Sequence, residues 1–273
     1  MKIKFFCPRW GSENLQWDEF AHKVRAAGYD GIESPIPFEE KEKLEIKEAL
    51  KSEGLELIGQ YYQSFEEEFG AHKDNFKRHL ESIAELKPIL IVSQTGKDYF
   101  SAAQNKNLFQ AASEISNNTG ITISHETHRN KALFAAHIAK NLLQENQEVR
   151  ITADFSHWCV VSESLLEQQK DAVNLAISRT IHIHARVGQP ESPQVGDPRS
   201  PEWKIAFEAH LKWWDQIVKE RFEAVADFLT ITPEFGPEPY MQTIPFSGMP
   251  VANQWDINIY MMNFLKKRYA EFL

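Results

Sequence analysis

The sequence predicts the α/β fold class, in the form of a single (β/α)8 TIM barrel. The chain has 273 residues, close to the roughly 250 that such a barrel requires. Short β-rich runs alternate with stretches of helical period, and eight such pairs occur along the chain. No glycine-rich phosphate loop follows the first run, which disfavours the alternative of an open, doubly wound sheet. Residues 1–273 are therefore predicted to form one domain.

The β-rich runs give the predicted strands in chain order. They are residues 3–9, 29–34, 56–63, 89–95, 122–128, 150–157, 180–187 and 228–235. Between the first two runs a helix is predicted, because apolar residues recur on one face and Gly28 is suited to its carboxyl end. The apolar face consists of Trp17, Phe20, Ala21, Val24 and Ala27. Similar stripes begin at Leu108 and at Leu133.

The bulk composition indicates a soluble protein of the cytoplasm. The chain is 42% hydrophobic and 25% charged, and its formal net charge of −9 disfavours nucleic acid as a partner. The first residues mix charges with apolar side chains and run into Pro8, so no signal peptide is expected. No apolar stretch reaches the ~20 residues of a membrane span. Two cysteines, Cys7 and Cys159, are too few for a disulfide framework.

Two connections near the carboxyl terminus are long and rich in proline. Residues 188–201 follow the seventh predicted strand, residues 236–250 follow the eighth, and each segment contains four prolines. Long irregular loops in a compact domain are usually functional. Because a barrel builds its active site on the face where its strands end, both segments are expected to border that site.

Ionisable side chains occur near the ends of the last four predicted strands. Side chains alternate along a strand, and on one parity the four strands carry Glu126, Asp154, His184 and Glu234. Taken singly, each could be a helix cap or a core residue. Three carboxylates and an imidazole that converge would carry excess negative charge, which a divalent cation compensates most simply. Glu33, near the end of the second strand, is expected to line the pocket and contact substrate, with an ion pair as the alternative.

Four segments resemble the xylose isomerase-like barrel superfamily, which includes ketose 3-epimerases, hydroxypyruvate isomerase, inosose dehydratase and the apurinic-site endonucleases. They are residues 124–129 (SHETHR), 154–158 (DFSHW), 182–186 (HIHAR) and 232–235 (TPEF). The resemblance implies that Glu126, Asp154, His184 and Glu234 are the metal ligands. It also implies that His157 contacts substrate beside the metal. Arg186 matches the arginine that follows the seventh-strand histidine, although the spacing is shorter here.

The endonuclease branch of this superfamily binds three zinc ions and needs further histidines on the third and fourth strands. Those strands read QYYQ at residues 60–63 and VSQT at 92–95, without histidine. Where that branch has an Asp-x-His motif after the seventh strand, this chain has Asp197, Pro198 and Arg199. A trinuclear site, and with it phosphodiester cleavage, is disfavoured.

The resemblance implies a metal-dependent sugar isomerase or epimerase of carbohydrate metabolism. One divalent ion is expected, manganese first, with magnesium, cobalt, iron or zinc as alternatives. Glu126 and Glu234 are expected to remove and return a proton through an enediolate. The substrate is expected to be an unphosphorylated ketose or related polyol, because no clustered cation site for a phosphate is visible in the sequence.

Further side chains are candidates for substrate contact. Arg129, Arg199 and Gln189 are suited to hydroxyls or to a terminal acidic group, while Trp10 and Trp158 could stack on a sugar or simply pack in the core. Two other functions stay open: an inosose dehydratase-like lyase, and a barrel that binds metal or sugar without catalysis. For the oligomeric state, a homodimer and a monomer both stay open.

Overall fold

Eight parallel strands form a closed barrel in the computed structural model, which describes residues 1–272. Neighbours in the chain pair in order, and β1 pairs with β8 to close the barrel. The strands are β1 (Lys2–Pro8), β2 (Gly31–Pro35), β3 (Glu56–Tyr61), β4 (Leu90–Ser93), β5 (Ile123–Glu126), β6 (Arg150–Ala153), β7 (Thr180–His184) and β8 (Phe228–Thr232). This confirms the predicted (β/α)8 barrel. Each predicted strand overlaps an observed one.

Nine α-helices surround the barrel within residues 1–272. They are α1 (Trp17–Ala27), α2 (Glu40–Glu53), α3 (Phe69–Ala84), α4 (Ala102–Thr119), α5 (Ala136–Glu145), α6 (Phe155–Ser162), α7 (Lys170–Arg179), α8 (Lys204–Glu223) and α9 (Gln254–Arg268). The first helix ends as predicted at Gly28, whose φ of 90° suits glycine. The helical stripe predicted from Leu133 begins before the observed helix, because α5 begins at Ala136. Within the described range no helix has the length and apolar content to cross a membrane.

The sixth strand is shorter than predicted, because a helix begins where the sequence suggested more strand. β6 ends at Ala153, and Asp154 caps the following helix α6 by accepting a hydrogen bond from the backbone N–H of Ser156 at 3.2 Å. A short acidic side chain favours this cap over continued strand. As a result Asp154 lies at the mouth of the barrel and His157 lies in the first turn of α6.

Polar side chains fill the upper part of the barrel interior and bond to one another. The hydroxyls of Ser124 and Thr152 are 2.6 Å apart, and His182 Nδ1 is 2.7 Å from Thr230 Oγ1. A separate apolar cluster is formed by Phe6, Ile58, Leu90 and Val92. The polar layer therefore carries the site at the carboxyl ends of the strands.

The two proline-rich segments meet above this layer. Gln194 donates to the carbonyl of Gly236 at 3.1 Å and accepts from its N–H at 2.7 Å. The segments after β7 and β8 therefore pack together as one structure on the carboxyl face.

Candidate metal centre and substrate cavity

The structure brings together the four residues predicted as metal ligands. Glu126, Asp154, His184 and Glu234 each offer one donor atom, and all of these atoms lie within 4.8 Å of one another. All four residues are buried. His184 Nδ1 is 3.3 Å from Glu126 Oε1 and 2.9 Å from Glu234 Oε2. The arrangement places three carboxylates and one imidazole around a single point.

Glu33 lies behind this group and holds its histidine. It accepts a hydrogen bond from His184 Nε2 at 2.9 Å, one from His182 Nε2 at 3.1 Å and one from the Thr232 hydroxyl at 2.6 Å. Burial opposes its ionisation, but the charges and hydrogen bonds of His184 and His182 hold the pKa of Glu33 well below its usual range. The contacts therefore favour the paired role for Glu33, and they direct Nδ1 of His184 toward the other carboxylates.

Arg186 is a buried cation at the edge of the cluster. Its Nη2 donates to Asp154 Oδ2 and to His157 Nε2, the latter at 2.9 Å, and lies 3.5 Å from Glu234 Oε2. Since Nε2 of His157 accepts this bond, the neutral ring carries its proton on Nδ1. Burial, together with the positive charges nearby, holds the pKa of His157 well below its usual range. His157 is therefore neutral, with its Nδ1 proton available.

The balance of charge fits a divalent cation. Four buried carboxylates, those of Glu33, Glu126, Asp154 and Glu234, face two cations, the guanidinium of Arg186 and the ring of His184. Burial opposes protonation of His184, but Glu234, Glu33 and Glu126 hold its pKa well above its usual range. Glu126 Oε2 is buried and has no hydrogen-bond partner among the described residues. An unpaired carboxylate oxygen in a group with excess negative charge is the chemistry that hard divalent ions select.

Two further groups of three residues have metal-ligand spacing. One consists of Glu33, His182 and His184, which already bond to one another. The other consists of Glu126, His128 and His157. There, His157 Nδ1 keeps its proton because of Arg186, so it donates and does not ligate. His157 Nδ1 and Glu126 Oε2, both buried and unpartnered in residues 1–272, are instead a matched donor and acceptor.

A cavity of about 400 Å³ opens onto this group from the carboxyl face. Glu126, Glu234 and Arg186 line it, as do Trp10 and, from the segment after β8, Tyr240. The Tyr240 ring lies 4.8 Å from the Arg186 guanidinium carbon, and its centroid is 5.0 Å from that of Trp10. Prolines marked this segment in the sequence, but no pattern distinguished Tyr240 within it. The polar part of the wall is completed by Glu13, Gln60, Tyr62, Gln94 and His128.

Several candidate substrate contacts lie elsewhere. Trp158 packs against Phe155 with ring centroids 4.9 Å apart and donates to the carbonyl of Leu133 at 2.8 Å, so its polar atom is satisfied in the core. Arg199 is a surface residue held by two hydrogen bonds to Asp197 Oδ2 and one to Oδ1 through its side chain. Neither residue lines the cavity.

Two other predicted contacts lie near the cavity without lining it. Arg129 has its guanidinium carbon 5.0 Å from the Tyr240 ring, beside the cavity. His157 lies next to His128, which lines the cavity, with ring centroids 3.8 Å apart.

Solved structures with this fold include enzymes of different activities. D-allulose 3-epimerase from Methylomonas sp., in complex with D-allulose, has a TM-score of 0.66 at 15% identity, over 98% of each chain. The structure of 3-keto-D-glucoside 4-epimerase from E. coli has a TM-score of 0.62 at 15% identity, over 97% of this chain and 100% of that one. The probable 3-DHS dehydratase of Bacillus anthracis has a TM-score of 0.61 at 17% identity, over 97% of this chain and 99% of that one. These likenesses show the shared fold.

Sequence comparison identifies the family directly. No curated protein matches the chain in sequence. The family model for the xylose isomerase-like TIM barrel matches residues 21–201, which is more than half of the chain. The protein therefore belongs to the xylose isomerase-like TIM barrel family.

Proposed function

We propose that the protein is a metal-dependent isomerase or epimerase that acts on a ketose or related polyol through an enediolate. One observation carries this proposal: two buried carboxylates, Glu126 and Glu234, face a single cavity from strands that two others separate. Two acids that reach one small substrate from different sides can remove a proton on one side and return it on the other.

The four clustered residues would hold one divalent ion. When bound, such an ion polarises the carbonyl and adjacent hydroxyl of a sugar and lowers the cost of the negative charge that develops on them. Three carboxylates with one imidazole suit manganese best, with magnesium, cobalt, iron and zinc as alternatives. Glu33 fixes the orientation of the His184 ring through their 2.9 Å hydrogen bond, so Nδ1 is the atom offered to the ion.

The proton steps use the two cavity carboxylates. Glu126 takes the proton from the carbon next to the carbonyl, and the electrons of that C–H bond move onto the carbonyl oxygen to give the enediolate. Glu234, whose pKa is raised by burial, then returns a proton. Return to the opposite face of the same carbon is epimerisation, and return to the neighbouring carbon is isomerisation.

Neighbouring side chains would orient the sugar. Glu126 Oε2, which has no partner within residues 1–272, can accept a hydrogen bond from one substrate hydroxyl, and His157 would act on the substrate through His128, against which its ring packs. Trp10 and Tyr240 form an aromatic wall suited to an apolar sugar face.

A lyase of the inosose dehydratase kind is the second candidate. The same first step followed by loss of a hydroxide from the next carbon would dehydrate the substrate, and Glu234, whose pKa is raised by burial, could protonate the departing oxygen. Loss of water changes the mass of the substrate by one water molecule, whereas epimerisation and isomerisation leave it unchanged. Mass spectrometry of the products therefore separates the two functions.

Proton exchange from solvent tests the proposed function. Metal-loaded protein incubated in deuterated water with a panel of ketoses and polyols is expected to place deuterium on a carbon next to the carbonyl. Glu126→Gln and Glu234→Gln should each slow this exchange at least about a hundredfold. Glu56→Gln, a control at the opposite end of the barrel where Glu56 pairs with Lys4 at 2.7 Å, should not. Sugar binding without any exchange would instead support a non-catalytic barrel.

A further inference from the structure

Two of the buried lysines have no counter-ion. Lys43 is buried and pairs with Glu40 at 3.0 Å and with Glu85. Lys97 and Lys131 are 7% and 6% exposed, yet within residues 1–272 no carboxylate oxygen lies within 4.0 Å of either ammonium group. Because no acidic group neutralises these two cations at close range, they are suited to bind an anion.

The two lysines lie on the carboxyl face of the barrel. Lys97 follows β4, and Lys131 follows β5. The loops that carry them are joined by a hydrogen bond from Ala132 N to Thr95 O at 2.9 Å. The ammonium group of Lys131 donates to the hydroxyl of Ser64, which follows β3. The loops after three consecutive strands therefore place two cations and a hydroxyl on one side of the barrel mouth.

This basic group borders the substrate cavity. Tyr62, Gln94 and His128 line the cavity, and each precedes a member of the group by two or three residues in its loop. The members that follow them are, in the same order, Ser64, Lys97 and Lys131. The cavity wall between β3 and β5 is thus backed by positive charge, and Glu126 of the carboxylate cluster is close enough for its charge to act on Lys131.

The charges of this group act on one another. Burial, and then the charge of Lys97, lower the pKa of Lys131 to about 8. The same two lysines contribute to the lowered pKa of His72, a fully buried residue of α3. The acids whose charges act on Lys131 are Glu126 and Asp98, and neither pairs with it: Glu126 faces His184, and Asp98 is exposed.

We infer that Lys97, Lys131 and the Ser64 hydroxyl bind an oxyanion, a carboxylate or a phosphate, carried by the substrate. This inference rests on the proposed function and narrows its substrate class to sugar acids or sugar phosphates. It also replaces the sequence-based expectation of an unphosphorylated substrate, which depended on finding no clustered cations. Lys97 and Lys131 lie in different loops, which the pairing of β4 with β5 brings together.

Binding of simple anions tests the site without the reaction. Titration calorimetry at constant ionic strength, with inorganic phosphate and with malonate, is expected to detect binding of at least one anion. Lys97→Met and Lys131→Met should each weaken that binding about tenfold or more, since hydrogen bonds to charged groups are lost. Lys219→Met, on the exposed face of α8, should leave it unchanged. Equal affinities in wild type and both lysine variants, or no binding of either anion, would overturn the inference.

Thermal unfolding separates a lost site from a lost fold. Without added anion, Lys97→Met is expected to unfold at the same temperature as wild type or a higher one, because the Lys97 ammonium group has no ion pair or hydrogen bond within residues 1–272 that the substitution would remove. Added phosphate or malonate should then raise the unfolding temperature of wild type more than that of the variant. An equal rise in both proteins would also contradict the inference.

The exchange assay identifies the source of the anion. A ketose, its phosphate and the corresponding keto-sugar acid are compared in deuterated water. Preference for either charged substrate, lost in Lys97→Met, supports the inference and tells carboxylate from phosphate. Equal exchange with all three contradicts the inference and leaves the proposed function standing. Anion binding at the lysines with no exchange from any substrate contradicts the proposed function and leaves the anion site standing.

Discussion

Glu33 shows what a single residue contributes when its partners are distant in the chain. Its position near the end of a predicted strand allowed either a pocket wall or an ion pair. The structure pairs it with His184, 151 positions away, and with His182. Alternation along a strand predicts on which side a residue lies, but only the closed barrel determines which side chains meet there.

Replacing Glu33 is expected to lower the affinity for the metal ion through the hydrogen bond between Glu33 and His184. Glu33→Gln removes the negative charge that faces His184 Nε2, so manganese affinity should fall about 10- to 100-fold, as for other partners of metal-bound histidines. Titration calorimetry with manganese measures this directly. Glu56→Gln, which removes a carboxylate of β3 that pairs with Lys4, is the matched control and should bind as wild type does. An unchanged affinity in Glu33→Gln would show that the hydrogen bond has no role in ion binding.

Lys131 is expected to destabilise the fold in a pH-dependent way. Its pKa of about 8 in the folded protein lies below the roughly 10.4 of an unfolded lysine. Below pH 8 the lysine is charged in both states, and its charge then lowers the free energy of unfolding by the full amount. Lys131→Met should therefore raise the free energy of unfolding at pH 7, by up to about 3 kcal/mol. The gain should shrink as the pH rises from about 8 to about 10.4. Urea unfolding across this range measures it.

The control for this prediction has the opposite sign. Lys43 is buried beside Glu40 and Glu85, and its pKa is raised by these partners even though burial acts against it. Lys43→Met should therefore lower the free energy of unfolding at pH 7. A gain for Lys131→Met that stays constant with pH would contradict the assigned cause.

At the scale of elements, the junction between the loop after β7 and the start of α6 fixes Asp154 and Arg186 relative to each other. The sequence suggested that strand continued through this region, whereas Asp154 caps a helix there. A strand pattern and an Asp cap compete over only four residues, so the apolar pattern alone could not decide between them.

A methyl group at Gly188 is expected to disturb this junction. A Cβ atom there would lie 2.7 Å from Ser156 Cβ and 2.8 Å from its Cα and carbonyl oxygen, and backbone atoms cannot easily move away. Gly188→Ala should therefore cost about 1–3 kcal/mol in urea unfolding. Gly70→Ala, in the first turn of α3, is the control, because its new Cβ meets only the side chain of Glu68. Equal stabilities of the two variants would contradict the close packing.

At the scale of the whole molecule, the alternation of strand and helix predicted the barrel together with the lack of a glycine-rich loop after the first strand. Eight strands and the direction of their inward side chains follow from local patterns, and the four clustered ligands follow from strand order together with the resemblance. The cavity wall does not follow in the same way. Tyr240 and the two unpaired lysines lie in loops, whose paths depend on packing between segments far apart in the chain.

Metal content tests the central claim most directly. Protein purified without chelator is analysed for bound metals, in parallel with a variant that carries both His184→Ala and Glu234→Ala. The account predicts about one equivalent of manganese or a similar divalent ion in the parent and little in the variant, because two of four ligands are removed. No metal in the parent, even after incubation with manganese, zinc and cobalt, would contradict the metal site and the mechanism built on it.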